Sequence, residues 1–532
     1  MKSKILIPII AMGLLVLSCE DFLDVNTDPN NPETVSPDLV LPVGLNYTSG
    51  YIGGDRQLNH LGSMMMYSYG EAEGFDWYAS EFNYLLTGGF YAQMFQDPYT
   101  RSLKQYNVLT QQPERFGYYN AIGNIMQAYH FQIMVDLYGS IPYSEALQRG
   151  GNATPTYNDP QAVYDSLIVQ LTDAVNTIDQ TNSMAGAAQV GSDDGVFGGD
   201  MNKWGAFANS IKIRILTRES DVKDASYINS ELANIQNNGY GYITDNVGIN
   251  PGYIASEDGK QNPYWTDFGI GFDGSSDNTY LATPATQFVI NFFQGLNDPR
   301  LDLIFETPSS GTHKGINQGS KELIANTDDL GPDGVSNFNM PSSFDDANGP
   351  SNATLGDDEG VLRGPEMATI IMTQAELEFN FAELALEGFN VSGTARSHYE
   401  AGITASFQYL GLTASDATAY YSQSMQNVNW NASSSNQLNA IMTQKWLGLF
   451  GLNMGQVWFD YNRTGYPNAE PIGVSSSPIA TAPSGFPISL ETNESDRPVR
   501  LLYPNSEASR NSENVPENSG INPFVDKIFW AQ

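Results

Sequence analysis

The chain has 532 residues, 41% hydrophobic and 12% aromatic, so it can bury a core, and wholesale disorder is excluded. Sixty acidic against 24 basic residues give a formal charge of −36, which repels phosphate backbones and argues against a nucleic-acid partner. The single cysteine excludes an internal disulfide.

The N-terminus reads as an export signal. Lys2 and Lys4 precede an uncharged apolar run from Ile5 to Leu17, and Val16-Leu17-Ser18-Cys19 has the small-residue step of a lipobox. Thirteen residues rise roughly 20 Å as a helix, too short for a bilayer core that takes about 20 residues. Residues 1–18 are therefore expected to be removed as a lipoprotein signal peptide, leaving Cys19 as the lipidation site. Acyl chains worth about 0.8 kcal/mol per buried CH₂ then anchor the chain to a membrane. No later segment offers 18 apolar residues, so the body is read as hanging from its lipid. Residues 19–40, rich in Asn, Asp and Pro, read as an extended tether, and 41–532 as a single domain.

Within that domain, Leu58 to Tyr91 is unusually aromatic, with glycines and irregular spacing that suggest helices broken by loops. Ile122, Ile125, Met126, Tyr129, Ile133 and Leu137 then form one apolar stripe on a helix from about Gly117 to Tyr138, stopped by Gly139. Asp159-Pro160 caps and opens another helix, which buries Tyr164, Leu167, Ile168, Leu171, Val175 and Ile178. Trp204, Phe207, Ala208, Ile211 and Ile215 mark a third, with Lys212, Arg214 and Arg218 read on or beside its polar side. From about 240 to 365 the helical period disappears into a loop-rich insert. Helices resume at 373–388, 395–410, 415–426 and 436–450. Short connections make these, with the earlier set at about 115–238, an array of helical hairpins similar to tetratricopeptide repeats, here spanning about 365–453. From Pro467 the chain is Pro/Ser/Asn-rich loop, with Phe524 to Trp530 apolar enough to dock back on the core.

These segments also carry local sequence signatures. Val135-Asp136-Leu137-Tyr138-Gly139, Lys203-Trp204 with Asn209-Ser210-Ile211-Lys212-Ile213-Arg214, Asn297-Asp298-Pro299-Arg300, Ala375-Glu376 with Phe379 and Ala382-Glu383, Gln444-Lys445-Trp446 and Arg500-Leu501-Leu502-Tyr503-Pro504 follow one another in order. Together, behind a lipobox, they resemble the SusD/RagB family of outer-membrane nutrient-binding lipoproteins over about residues 19–532. The resemblance implies a mainly α, SusD-like fold whose tetratricopeptide-like hairpins carry a large loop-rich ligand-binding face. It also implies a partner, a SusC-like TonB-dependent transporter covered by this protein as a lid. Glu20, Asp21 and Asp24 resemble the tag that sends Bacteroidetes lipoproteins to the cell surface. Asp136, Lys203, Arg214, Arg300, Glu376 and Lys445 are read as buried or half-buried caps and ion pairs rather than ligand contacts.

A carbohydrate binder needs exposed aromatic planes for sugar C–H faces and polar side chains for hydroxyls. Two loop-like stretches supply both: Trp77 and Tyr78 flanked by Asp76 and Asn83, and Tyr264 and Trp265 flanked by Asn262 and Asp267. Asp-rich loops at 193–200, 273–277 and 328–333 invite Ca²⁺ but lack EF-hand spacing, so solvated turns and no cofactor are the preferred reading. Gly269 to Gly274 fits G-x-G-x-x-G without the flanking strand and helix that dinucleotide binding requires. There is no HExxH, zinc spacing or G-x-S-x-G, so no catalytic residue is assigned. The expectation is a non-catalytic surface lipoprotein that binds an oligomeric nutrient, a glycan with oligopeptide as the alternative ligand, and passes it to the transporter. A glycoside hydrolase or other hydrolase on a helical scaffold remains the alternative, since 60 acids allow many carboxylate pairs.

Overall fold

A computed structural model describes residues 35–148, 151–319, 331–344, 353–468 and 486–531. The signal peptide and Cys19 lie outside them. The protein is mainly helical, around one contiguous apolar core.

Helix α1 (Pro37–Gly53) opens on a proline whose missing N–H costs nothing in the first turn. It corrects the tether boundary: residues 37–40 are helical and Val40 is buried, although Pro37 and Pro42 disguise the period. Helix α2 (Leu58–Met65) and α3 (Leu103–Thr110) follow. Helix α4 (Gly117–Tyr138) is buried on nearly every side and ends at Gly139, whose φ of +76° suits glycine. In helix α5 (Pro160–Asn182) the Asp159 carboxylate caps the first turn by accepting the Ala162 N–H at 3.0 Å, and α5 packs along α4 through the apolar stripe read from sequence. Helix α6 (Met201–Arg218) lies against both, and α7 (Ala225–Asn237) follows.

The stretch from 240 to 365 is less irregular than its sequence suggests. It holds helix α8 (Pro263–Phe268), helix α9 (Gln287–Gly295) and strand β1 (Val247–Ile249), which pairs antiparallel with β2 (Thr369–Met372). Helix α9 was hidden because Phe-Val-Ile-Asn-Phe-Phe favours strand over helix; Thr286, accepting the Val289 N–H, supplies the cap that starts it. The second hairpin comprises α10 (Gln374–Leu386) and α11 (Ala395–Tyr409), followed by α12 (Ala414–Tyr421) and α13 (Gln437–Gly448). Helix α14 (Met454–Thr464) closes the array on α2. Gly62 and Gly455 permit that contact: a Cβ on Gly62 would lie 2.2 Å from the Met454 carbonyl carbon.

Charged residues inside the bundle correct one expectation and fulfil others. Lys212 and Arg218 are buried, not on a polar face, and Arg214 is buried as expected of an interior ion pair, because each meets an acid from another element. Lys212 reaches Glu231 at 3.0 Å; Arg214 pairs with Glu376; Arg218 bridges Asp136 and Asp460. Lys445 adds a 2.6 Å contact to Asp460, and Arg300 grips Asp298 at 2.6 Å. Although burial opposes it, the charges of Lys445, Arg218 and Arg463 hold the Asp460 carboxyl well below the usual carboxylate range. Lys203 is the exception, standing exposed in the first turn of α6. The C-terminal segment docks as expected: Trp530 is fully buried and its Nε1 donates to Asp136 at 2.9 Å.

Candidate functional site

Glu71, buried after the end of α2, organises the Trp77 loop. Its Oε1 accepts the N–H groups of Trp77 (2.5 Å) and Tyr78 (3.3 Å), which fixes the backbone there. Arg56 secures the same loop from the neighbouring turn, donating to the Trp77 carbonyl at 2.7 Å and lying 3.5 Å from Glu81. The result is an indole 42% exposed on an anchored backbone, braced edge-on by Phe75 with ring centroids 5.0 Å apart. Asp76 stands exposed beside it. Asn83, half-buried, donates to Glu491 at 3.1 Å and brings the 487–496 segment to the rim. Tyr78 does not join this surface. It is buried beneath the loop against His60, 5.2 Å away and nearly perpendicular, so its assignment as a ligand contact is corrected.

On the other side of the 54–57 turn lies a hollow of about 510 Å³, lined in part by Tyr47, Asp55, Gln57, Arg101, Gln261 and Asp267. Asp267 accepts the Asp55 N–H at 2.6 Å, yet burial pushes its carboxyl up to about 6. Asp55 goes the other way: burial alone would raise it, but His60, with Nδ1 at 2.7 Å, and the charge of Arg56 hold it below its ordinary value. The same Nδ1 is 3.0 Å from the Arg56 N–H, so one ring nitrogen of His60 faces both that backbone group and Asp55. Aromatic plane, carboxylates, amides and a guanidinium thus surround one turn, the mixture that sugar faces and hydroxyl edges require. Tyr47, Gln57 and Arg101 were missed because no local motif marks them and α1 begins inside the stretch read as tether.

The second aromatic pair is overturned. Asn262 is the N-cap of α8, accepting the N–H groups of Tyr264 (2.8 Å) and Trp265 (3.0 Å) while donating to Met367 and Thr369. Trp265 has no exposed surface, its Nε1 donates to the Ile270 carbonyl at 2.8 Å, and Phe344 covers it. Tyr264 packs on Phe268. Of that quartet, Asp267 alone lines the hollow. The Asp-rich loops are turns: Asp194 is buried, accepting the N–H groups of Val196 and Gly199 and the Trp204 indole, and Asp273 accepts from Ser275. Among the described residues no group of three His, Cys, Asp or Glu is arranged to hold a metal; residues 328–330 of the third loop lie outside them. His130, mid-helix in α4, is pushed down to about 3 by burial and meets Thr48 Oγ1 at 2.8 Å, a neutral packed side chain.

The architecture is shared with solved structures. A SusD homologue from Bacteroides uniformis is 22% identical, with 93% of this chain and 99% of that one aligned at a TM-score of 0.69. A chitin-binding SusD homologue from Flavobacterium johnsoniae is 21% identical, with 93% and 98% covered at 0.69. A SusD homologue from Bacteroides fragilis is 20% identical, with 93% and 99% covered at 0.65. No curated protein matches by sequence. Residues 50–504 match the SusD-like family described as starch-binding and associating with the outer membrane. With most of its length matched, the chain belongs to that SusD-like family of non-catalytic, outer-membrane-associated binding proteins.

Proposed function

We propose that this protein captures an oligosaccharide on the face built around Trp77 and the Asp55–Asp267 hollow, and hands it to a SusC-like TonB-dependent transporter. The observation that carries this reading is the indole of Trp77, large, apolar and solvent-facing, on a backbone held rigid by Glu71 and Arg56. A flat hydrophobic side chain held partly exposed by hydrogen bonds to its backbone keeps apolar area in water that a sugar ring can cover. Asp76, Asn83, Gln57 and Gln261 then address hydroxyls. Glucose polymers and chitin oligosaccharides are the first ligands to try, given the family's description and the chitin-binding relative.

The finer placement follows the same reading. Cys19 carries the lipid, the acidic residues after it direct the protein to the outer leaflet, and the helical body lies over the barrel as a lid. Closure sets the ligand between the two proteins, where lost water strengthens each polar contact. The hydrolase alternative is set aside, because the family binds without catalysis.

Incubating the purified protein with maltooligosaccharides and chitooligosaccharides tests the proposal. Retention of intact oligosaccharide supports it; shortened products, or binding of peptides alone, overturn it.

A further inference from the structure

A separate hollow of about 390 Å³ opens between α3, the loop after α4 and the short C-terminal helix Asn505–Arg510. It shares no lining residue with the hollow at Asp55. Phe95, Pro142, Leu147 and Pro155 give it an apolar floor, while Lys104, Arg510 and Glu507 supply charge.

The two cations are set apart from the interior ones. Many of the described arginines and lysines are consumed by ion pairs, several fully buried, such as Arg214 with Glu376 and Arg463 with Glu383. Lys104 and Arg510 make no side-chain hydrogen bond or ion pair with any described residue, yet they line one hollow in a protein of net charge −36. Such a local reversal of sign concentrates anions against the field of the remaining surface. Glu507 narrows the choice. Its Oε2 accepts the Tyr157 hydroxyl at 2.8 Å, leaving Oε1 to accept from a ligand hydroxyl and leaving a negative charge that disfavours polyanions.

We infer that this hollow is a second binding site, for a sugar acid: a ring with one carboxylate, hydroxyls and an apolar face. The carboxylate meets Lys104 and Arg510, the ring C–H face rests on the apolar floor, and a hydroxyl donates to Glu507. A neutral sugar offers the two exposed cations no opposite charge, and an aromatic acid brings no hydroxyl donor to Glu507.

Ligand-observed NMR titration of the full chain with D-glucuronate, D-glucose and benzoate at low salt tests this. Glucuronate is expected to bind most tightly, benzoate more weakly and glucose not at all, with glucuronate binding weakened as salt rises. Lys104→Gln and Arg510→Gln should each weaken glucuronate about fivefold, as exposed charges do, and the double variant should abolish binding with unchanged melting temperature. Trp77→Ala should leave glucuronate binding intact, which separates this site from the glycan face. Absent glucuronate binding, equal binding of glucose and glucuronate, or full affinity in the double variant would each overturn the inference.

Discussion

Arg214 and Glu376, 162 residues apart, meet inside the bundle through two parallel hydrogen bonds of 2.6 and 3.0 Å, each side chain about 1% exposed. The pair ties α6 of the first hairpin set to α10 of the second, and the Nη2 of Arg214 also reaches the carbonyl of Ile371 in β2. Removing one partner strands a charge without water, so Arg214→Met should cost about 3–5 kcal/mol. Replacing both, as Arg214→Met with Glu376→Leu, should recover most of that loss. Urea unfolding of the two variants checks the asymmetry; equal losses would show that packing, not the stranded charge, dominates.

The close approach of α2 and α14 makes a second prediction. Gly62→Ala places a methyl against the Met454 backbone, which has no rotamer by which to yield, and should destabilise by about 1–3 kcal/mol. Gly186→Ala is a useful contrast. Nothing lies within 4 Å there, and its cost comes from the φ of +78° alone. Thermal unfolding should rank Gly62→Ala well below it.

Stability should also fall with rising pH through one identified group. Both carboxylate oxygens of Glu219 are buried without a hydrogen-bond partner among the described residues. Burial pushes the group up to about 8, with Lys223 opposing the shift and Asp165 and Glu231 adding to it. Below about pH 4 the carboxyl is protonated folded or unfolded and contributes nothing to the slope. Between there and pH 8 the unfolded chain releases a proton that the folded one keeps, so stability drops by on the order of 2–4 kcal/mol. Glu219→Gln should flatten this profile and be the more stable protein at pH 8. Chemical denaturation at pH 5 and 8 measures it, and an unchanged slope would exclude Glu219 as the cause.

Trp265 and Trp77 should part company on substitution. With its ring fully enclosed, Trp265→Ala should cost about 3–5 kcal/mol by leaving a cavity. Differential scanning calorimetry should show a large drop for Trp265→Ala and almost none for Trp77→Ala.

How much of this was legible beforehand varied with the physics of each segment. Helices α4 and α5 could be read almost to the residue because an apolar period of three and four, a Gly stop and an Asp-Pro cap all agreed, although α4 is buried on nearly every side and not along one stripe alone. Asp136, Arg214, Arg300, Glu376 and Lys445 were recognisable as interior charges through the family resemblance, whereas Arg218 looked like a surface residue until its partners Asp136 and Asp460, from distant helices, came into view. Trp265 was misread although its signal was present: Asn262-Pro263 is an N-cap followed by a proline at the first helical position, which turns an apparent loop into a short buried helix. Trp77 carries no such cap, and it is the tryptophan that stays outside. Of the hollow only Asp267 was picked out in the sequence; Tyr47, Asp55 and Arg101 join it only through tertiary packing.

Glycan capture depends on the Trp77 indole, and affinity electrophoresis through gels containing soluble starch or glycol chitin tests this most directly. The wild-type protein should be retarded in at least one gel, while Trp77→Ala, with the same melting temperature, should run as it does without polysaccharide. Equal retardation of the two proteins, or no retardation of the wild type in either gel, would contradict it.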